Sequence, residues 1–369
     1  MDGQWVGSSS GTNPGIMVLD LEAHESGYAG HAFLFEDDPQ MPGVLASVVL
    51  PSIEADQEVD LPLSPLWPGG GLMSRQELAA FAPDVSFPET ASVRIVQKNN
   101  ELHVTWSTPV GTAGSATLVG SQADQPSYLV PLEDVTTWSS FKELVLAMQP
   151  REHIFRGQPS PSRLRSSFHR TWRKDLIRYI NSDVPAVRQA VSGQLRHLFR
   201  PDDPVENSAF WNLLQHHGYP TPMLDWSYSP FVAAYFAFRS FRRSPEHGEV
   251  VRIFMLDGTA WVKDQITSPN ATFTRPHLTV LEALALQNPR ALPQQGVSTV
   301  TNVDDIETFV WAREQTANRS YLRCVDLPFA ERHTVLSELA LMGITAASLF
   351  PGLDGACEEV KARNFGYNV

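Results

Sequence analysis

The sequence predicts two domains: an antiparallel β-barrel or sandwich over residues 1–130, then an α+β unit over residues 131–369. Three observations predict this. Up to about residue 130, short strand-like runs recur between Gly, Pro, Asn and Asp punctuation. Near Pro131–Thr137 the apolar period changes from two to about 3.6. The charge changes at the same place. Residues 1–134 hold 3 Lys and Arg against 18 Asp and Glu, a balance of −15, and the remainder holds 25 against 23, or +2. With 369 residues, 42% of them hydrophobic and 19% charged, the chain has material for two cores.

In the first unit, strand-like runs fall at 16–23, 30–36, 45–50, 91–97, 101–108 and 115–119. Asn99-Asn100 separates two of them and predicts a tight hairpin. Only Ser74–Phe81 reads as a helix there, with Ser74 and Glu77 spaced as a capping box. The second unit opens with Phe141, Leu144, Val145 and Met148 on one helical face, and Ser140 with Glu143 predicts a further capping box. Helices are expected at 139–149, 171–182, 185–199, 207–217, 230–241, 305–316, 329–342 and 353–362. Strands are expected at 152–156, 222–226, 249–256, 294–301, 320–326 and 344–349. Their irregular order suits α+β rather than a βαβ series.

Several function classes drop out. The longest apolar run, Phe231–Phe238, is eight residues, against the roughly 20 that span a bilayer, so no membrane partner is expected. The first residues have no basic or apolar leader character, and the two cysteines, Cys324 and Cys357, read as free thiols; both point to the cytoplasm. Two cysteines make no four-ligand zinc site, and adjacent His216 and His217 point to different faces, so no metal is expected. Gly7-Ser8-Ser9-Ser10-Gly11 fits G-x-S-x-G, but no helix follows it. Residues 151–200 hold 11 Arg and Lys against 3 acids, a stretch suited to phosphates.

Two segments carry chemistry. In His153-Ile154-Phe155-Arg156-Gly157-Gln158 a strand ends in arginine and glycine. The arginine can fork onto a phosphate, and the glycine lets a ligand or another backbone come close. The second segment runs from Gln215-His216-His217-Gly218-Tyr219-Pro220-Thr221 through Leu224-Asp225-Trp226-Ser227-Tyr228-Ser229-Pro230. Gly218 sits where a helix C′ residue belongs, Ser229 suits an N-cap and Pro230 the first helical position. Asp225, Ser227 and Tyr228 therefore lie where a strand turns into a helix N-terminus, where backbone amides favour an anion.

Together these motifs resemble the FRG domain family, over roughly residues 135–369. Gln294-Gln295-Gly296-Val297-Ser298-Thr299 and the Gly343–Gly355 segment match its later parts. The order Arg156-Gly157, Ser227-Tyr228-Ser229, then Ala233 and Phe236 is also similar to ADP-ribosyltransferases. That resemblance implies a split sheet and NAD as substrate. By it, Arg156 and Gly157 would clamp NAD, Ser227, Tyr228 and Ser229 would line the nicotinamide pocket, and Gln295 would contact the ribose. Those enzymes use a glutamate where Gln295 stands, and glutamine supplies no negative charge. Glu282 is read on a helix upstream and Glu338 on a later one. Asp225 and His217 would support the loop or move a proton.

The expected function is an NAD-using effector that transfers ADP-ribose to a macromolecule or to water, in bacterial conflict or phage defence. The alternative is a non-catalytic nucleotide or nucleic-acid binding module. In the first unit, Trp5-Val6-Gly7 and Trp106 resemble ligand-binding barrels of the lipocalin type, with both tryptophans read as core plugs and a ligand or partner docking at this unit.

Overall fold

The structure, a computed structural model, describes residues 1–52, 54–239, 249–265 and 273–365. The N-terminal unit is a barrel, not a sandwich. Its strands are β1 (Gly3–Gly11), β2 (Gly15–His24), β3 (Gly27–Glu36), β4 (Gly43–Leu50), β5 (Asp56–Leu66), β6 (Thr90–Lys98), β7 (Glu101–Ser107) and β8 (Ala113–Gly120). Each pairs antiparallel with the next, and β1 also pairs with β8, so the sheet closes and no edge is left. Two strands go beyond the sequence reading. β1 is rich in Gly and Ser and has little strand preference of its own, but a ladder on each side holds it. β5 carries Pro62 and Pro65, each of which lacks a backbone N–H. The hairpin at Asn99-Asn100 forms with Asn99 at a φ of 54°, and α1 (Arg75–Phe81) starts on the Ser74–Glu77 capping box.

Strand β2 shows why the barrel has two buried faces. Met17, Leu19 and Leu21 point inward, while Val18, Asp20 and Glu22 point out and are buried by the second unit. One end of the barrel is plugged by Trp5, whose Nε1 donates to the Met1 carbonyl at 2.7 Å, above the buried Leu102 and Leu118.

The second unit is built on one antiparallel sheet in the order β12-β13-β10-β9-β11-β14. These are β9 (His153–Gln158), β10 (Met223–Ser227), β11 (Val250–Asp257), β12 (Leu278–Leu281), β13 (Gly296–Thr301) and β14 (Leu322–Pro328). Around it lie α2 (Trp138–Leu146), α3 (Leu176–Arg178), α4 (Val184–Val191), α5 (Pro204–His216), α6 (Pro230–Phe238), α7 (Gly258–Asp264), α8 (Ile306–Ala317), α9 (Arg332–Leu341), α10 (Ala346–Leu349) and α11 (Leu353–Phe365). The last positions of the helix expected at 230–241 lie outside the described residues.

Four local readings need correction. Residues expected as a strand at 344–349 instead hold the short helix α10 (Ala346–Leu349), capped by Thr345. Helix α2 starts on Thr137, with Ser140 as its reciprocal partner, so the capping box lies three residues before the Ser140–Glu143 pair. The helix expected at 171–182 begins only at Leu176, and a π-helical turn over Tyr179–Asp183 carries it into α4. Glu282 follows strand β12 instead of lying on a helix.

Two packing constraints position the site. The first is Gly157 on β9. A Cβ there would meet the Ala233 carbonyl oxygen at 1.9 Å and the Ala237 nitrogen at 2.8 Å, so α6 rests directly on the strand backbone. The run Ala233, Ala234 and Ala237 keeps the helix side of this contact small. The second is Glu22, which the barrel inserts into the other unit. Its carboxylate, 1% exposed, accepts from the backbone N–H of Lys174 and of Asp175, both at 2.8 Å, and from Arg173 Nε at 3.0 Å. Gln4 adds a bridge, donating to Asp20 and to the Asn302 carbonyl and accepting from the Asp304 N–H at 2.7 Å.

Two variants test these constraints by urea unfolding. Glu22→Ala leaves the Arg173 Nε–H and two buried amides without an acceptor, with only Asp183, among the described residues, left to pair Arg173, and should cost about 3 kcal/mol, while Glu25→Ala on the exposed β2–β3 turn should cost nothing measurable. Gly157→Ala should cost about 3 kcal/mol because both atoms it meets are backbone. A loss below about 1 kcal/mol in either variant would contradict the corresponding packing account.

Candidate functional site

Strands β9 and β10 share a single pair, Ser227 with Phe155, and separate beyond it. Arg156 spans the opening: its Nη1 donates to the Asp225 carbonyl at 2.6 Å. The side chain thus replaces a missing rung of the ladder. Its other contact is a long one, Nε to Gln158 Oε1 at 3.5 Å, and among the described residues no carboxylate pairs with it. Burial pulls the guanidinium down to about 10, with Asp225 opposing and the nearby Arg170 adding to the shift.

Two compartments meet at Arg156, Gln215 and Asp225. The first, about 330 Å³, is walled by Phe155, Gly157, Ala233, Phe236 and Phe350, with Ser227, His216, Arg290 and Gln294 supplying its polar groups. The second, about 220 Å³, is polar and basic, with Arg165, Arg170, Ser167 and Tyr219 around Arg156. Arg165 is neutralised by a two-point pair with Asp304, at 2.8 Å on the Nη2 side. Arg170 has no carboxylate partner among the described residues. Among the described residues, Asp225 is the one carboxylate on the lining of either compartment.

The loop chemistry follows the sequence reading. His217 caps α5, Gly218 takes a φ of 84°, and the amides of Gly218 and Tyr219 return to the Gln215 and Leu214 carbonyls. Ser229 caps α6, its Oγ accepting from the Val232 N–H at 3.2 Å, with Pro230 at the first helical position. Ser227 Oγ donates to the Gln294 carbonyl at 2.7 Å and accepts from the Ser229 N–H at 2.9 Å. Its hydroxyl therefore ties the strand, the cap and the 294 loop together.

The structure brings Arg156, Gly157, Asp225 and Ser227 to one groove. His217 is exposed and outside its lining, and the neighbouring His216 lines it instead. Burial, helped by Arg290 and His217, pulls His216 down to about 4. Gln295 is exposed at a φ of 46°, while Gln294 lines the groove and donates to the Leu349 carbonyl at 3.0 Å. Tyr228 stands outside the lining. Its hydroxyl donates to Glu282 at 2.5 Å, and Arg151, paired to the same carboxylate at 2.8 Å, lies 3.8 Å above its ring. Ser229 serves as the helix cap. Glu338 is bound by Trp138 and Lys142.

Sequence reasoning placed Gln215, His216, Gln294 and Phe350 in motifs and Arg170 in the basic stretch without giving them a role at the site, and it did not name Arg290. For two of them a signal existed. Asn212, Gln215 and His216 form a polar stripe at i, i+3 and i+4 among Ala209, Phe210, Trp211, Leu213 and Leu214 in the C-terminal half of α5, whereas His217, next to the C′ glycine, had to turn out. Arg290 and Phe350 reach the groove only through the tertiary fold, where Arg239 and Arg290 lie 4.3 and 5.1 Å from the Phe350 ring centre.

Among the described residues, no group of three His, Cys, Asp or Glu could hold a metal ion, and no helix is long and apolar enough to cross a membrane. No curated protein matches the chain. A solved structure of a redesigned β-barrel, mFAP1, bound to DFHBI, is 10% identical, with 32% of this chain and 93% of that one covered at a TM-score of 0.22. The FRG domain family matches residues 151–246, a span that holds Arg156-Gly157, the loop after α5, and Asp225 through Ser229. The α+β unit of this chain thus contains an FRG domain, and strands β11 to β14, which complete its sheet, follow the matched span.

Proposed function

We propose that the groove around Arg156 binds a dinucleotide of the NAD class and cleaves its nicotinamide–ribose bond. The observation that carries this reading is an unneutralised arginine at the junction of a basic compartment and an aromatic one. A half-buried guanidinium that no carboxylate contacts in an ion pair, among the described residues, is costly to keep and has donors left for a ligand. Arg156 and Arg170 take the pyrophosphate, and the flat nicotinamide ring lies in the compartment walled by Phe236 and Phe350.

The chemistry then falls to Asp225 and His216. As the bond to nicotinamide breaks, its electron pair leaves on the ring nitrogen, and positive charge grows on the ribose. The Asp225 carboxylate stabilises that charge, the role a glutamate plays elsewhere. His216, neutral above about pH 4, accepts a hydrogen bond from water, whose oxygen bonds to the ribose carbon while the proton passes to solvent. A macromolecular nucleophile in place of that water gives ADP-ribose transfer. The absence of any glutamate from the lining, among the described residues, favours a second reading, in which the groove holds a nucleotide without turnover.

Nicotinamide release from NAD separates the two. Wild type should release it, Arg156→Ala should lower release at least a hundredfold, and Asp225→Asn should abolish release while calorimetry still shows NAD bound within a few-fold of wild type. Arg156→Ala should unfold close to the wild-type temperature, because relief of a buried cation that has no ion pair offsets the lost hydrogen bond to the Asp225 carbonyl. The rate should stay level from pH 8 to pH 5.5, since His216 does not titrate there. Binding without release selects the second reading, and neither binding nor release overturns both.

A further inference from the structure

The barrel has its own cavity, and no part of the proposed chemistry uses it. It opens at the end opposite the Trp5 plug, among the β1–β2, β3–β4, β5–β6 and β7–β8 connections. Its volume is about 150 Å³, and its walls are apolar, with Met17, Leu34, Leu63, Val104 and Trp106 among them. A cavity of this size lined by apolar side chains accommodates a benzene-sized molecule.

One charged group breaks the apolar lining. Glu36 ends β3 on the inward face it shares with Ala32 and Leu34. It is 8% exposed, and among the described residues no other charged side chain lines the cavity. The Asn13 side chain hydrogen-bonds to it, yet its Oε2 is buried without a hydrogen-bond partner among the described residues. A buried carboxylate oxygen with no donor is costly, and natural cores rarely keep one without a use. Burial, with the neighbouring Asp37 adding to it, pushes this carboxyl up to about 7.

We propose that the barrel cavity binds a small apolar molecule of about benzene size carrying one hydrogen-bond-donating head, an amine or a hydroxyl. The head donates to Glu36 Oε2, and the body packs against Met17, Leu34 and Trp106. Both kinds of head satisfy the orphaned oxygen, and pH tells them apart. An ammonium gains from an ionised carboxylate, so its binding strengthens as pH rises through about 7. A hydroxyl has no such preference.

Calorimetry with benzylamine, benzyl alcohol and toluene on the full chain tests this. At least one of the two donors should bind ten times more tightly than toluene. Glu36→Gln should lower that donor's affinity tenfold or more and leave toluene unchanged. Ala32→Leu, which narrows the cavity, should weaken all three. Folding of Glu36→Gln is checked independently. The unfolded carboxyl loses its proton near 4.5 and the folded one only near 7, so wild-type stability falls as pH rises through that window. The variant should therefore be at least as stable as wild type at pH 8. If toluene binds as well as both donors, if none of the three binds, or if Glu36→Gln leaves the donor's affinity intact, the proposal fails. None of these outcomes depends on the Arg156 groove.

Discussion

Everything at the groove depends on how closely helix α6 approaches strand β9. Gly157 has no side chain to hold the helix off, and its site would place a Cβ 1.9 Å from the Ala233 carbonyl. With α6 in that position, Ser229 at its start can reach Ser227, and Phe236 on its flank can wall the aromatic compartment. The arginine that precedes the glycine then lies where β9 and β10 part, and its guanidinium closes the gap against the Asp225 carbonyl. The pair Arg156-Gly157 is thus one device. The glycine sets the packing, and the packing leaves the arginine half-buried with no ion pair among the described residues.

The charge asymmetry has a structural outlet. The −15 first unit and the basic stretch after residue 151 meet through buried carboxylates. Glu22 binds Arg173 and two amides, and His31 of the barrel lies 3.0 Å from Asp175. On the other side of the same segment, Arg165, Ser167 and Arg170 face the groove. Residues 165–175 therefore form a short strap with one face on the barrel and one on the candidate site. Strand β2 has a similar double role, with Met17 and Leu19 in the barrel cavity and Glu22 in the interface.

Local sequence carried most of the elements. The α1 capping box, the Asn99-Asn100 hairpin and the α5–Gly218–β10–Ser229–α6 path all follow from side chains acting on their own backbone within a few residues. The misreadings share a cause. Strand β1 carries Ser8-Ser9-Ser10, and it is a strand because two neighbours pair with it. Residues 344–349 look strand-like in isolation, but Thr345 caps a turn that packs Leu349 into the core.

For the site, the sequence by itself determined which motifs matter: Arg156-Gly157, and Asp225 to Ser229 at a strand-to-helix turn. Their residue types and spacing have a local physical logic that needs no distant contact. Only the tertiary structure decided which side chains face one another. It put His216 rather than His217, and Gln294 rather than Gln295, on the groove, because a helix cap and a left-handed φ of 46° turn the other member of each pair outward. It also brought Arg290 and Phe350 to Arg156 across more than a hundred residues of chain. Convergence over that separation is set by sheet order and by helices packed on its faces, and no short stretch of sequence encodes either.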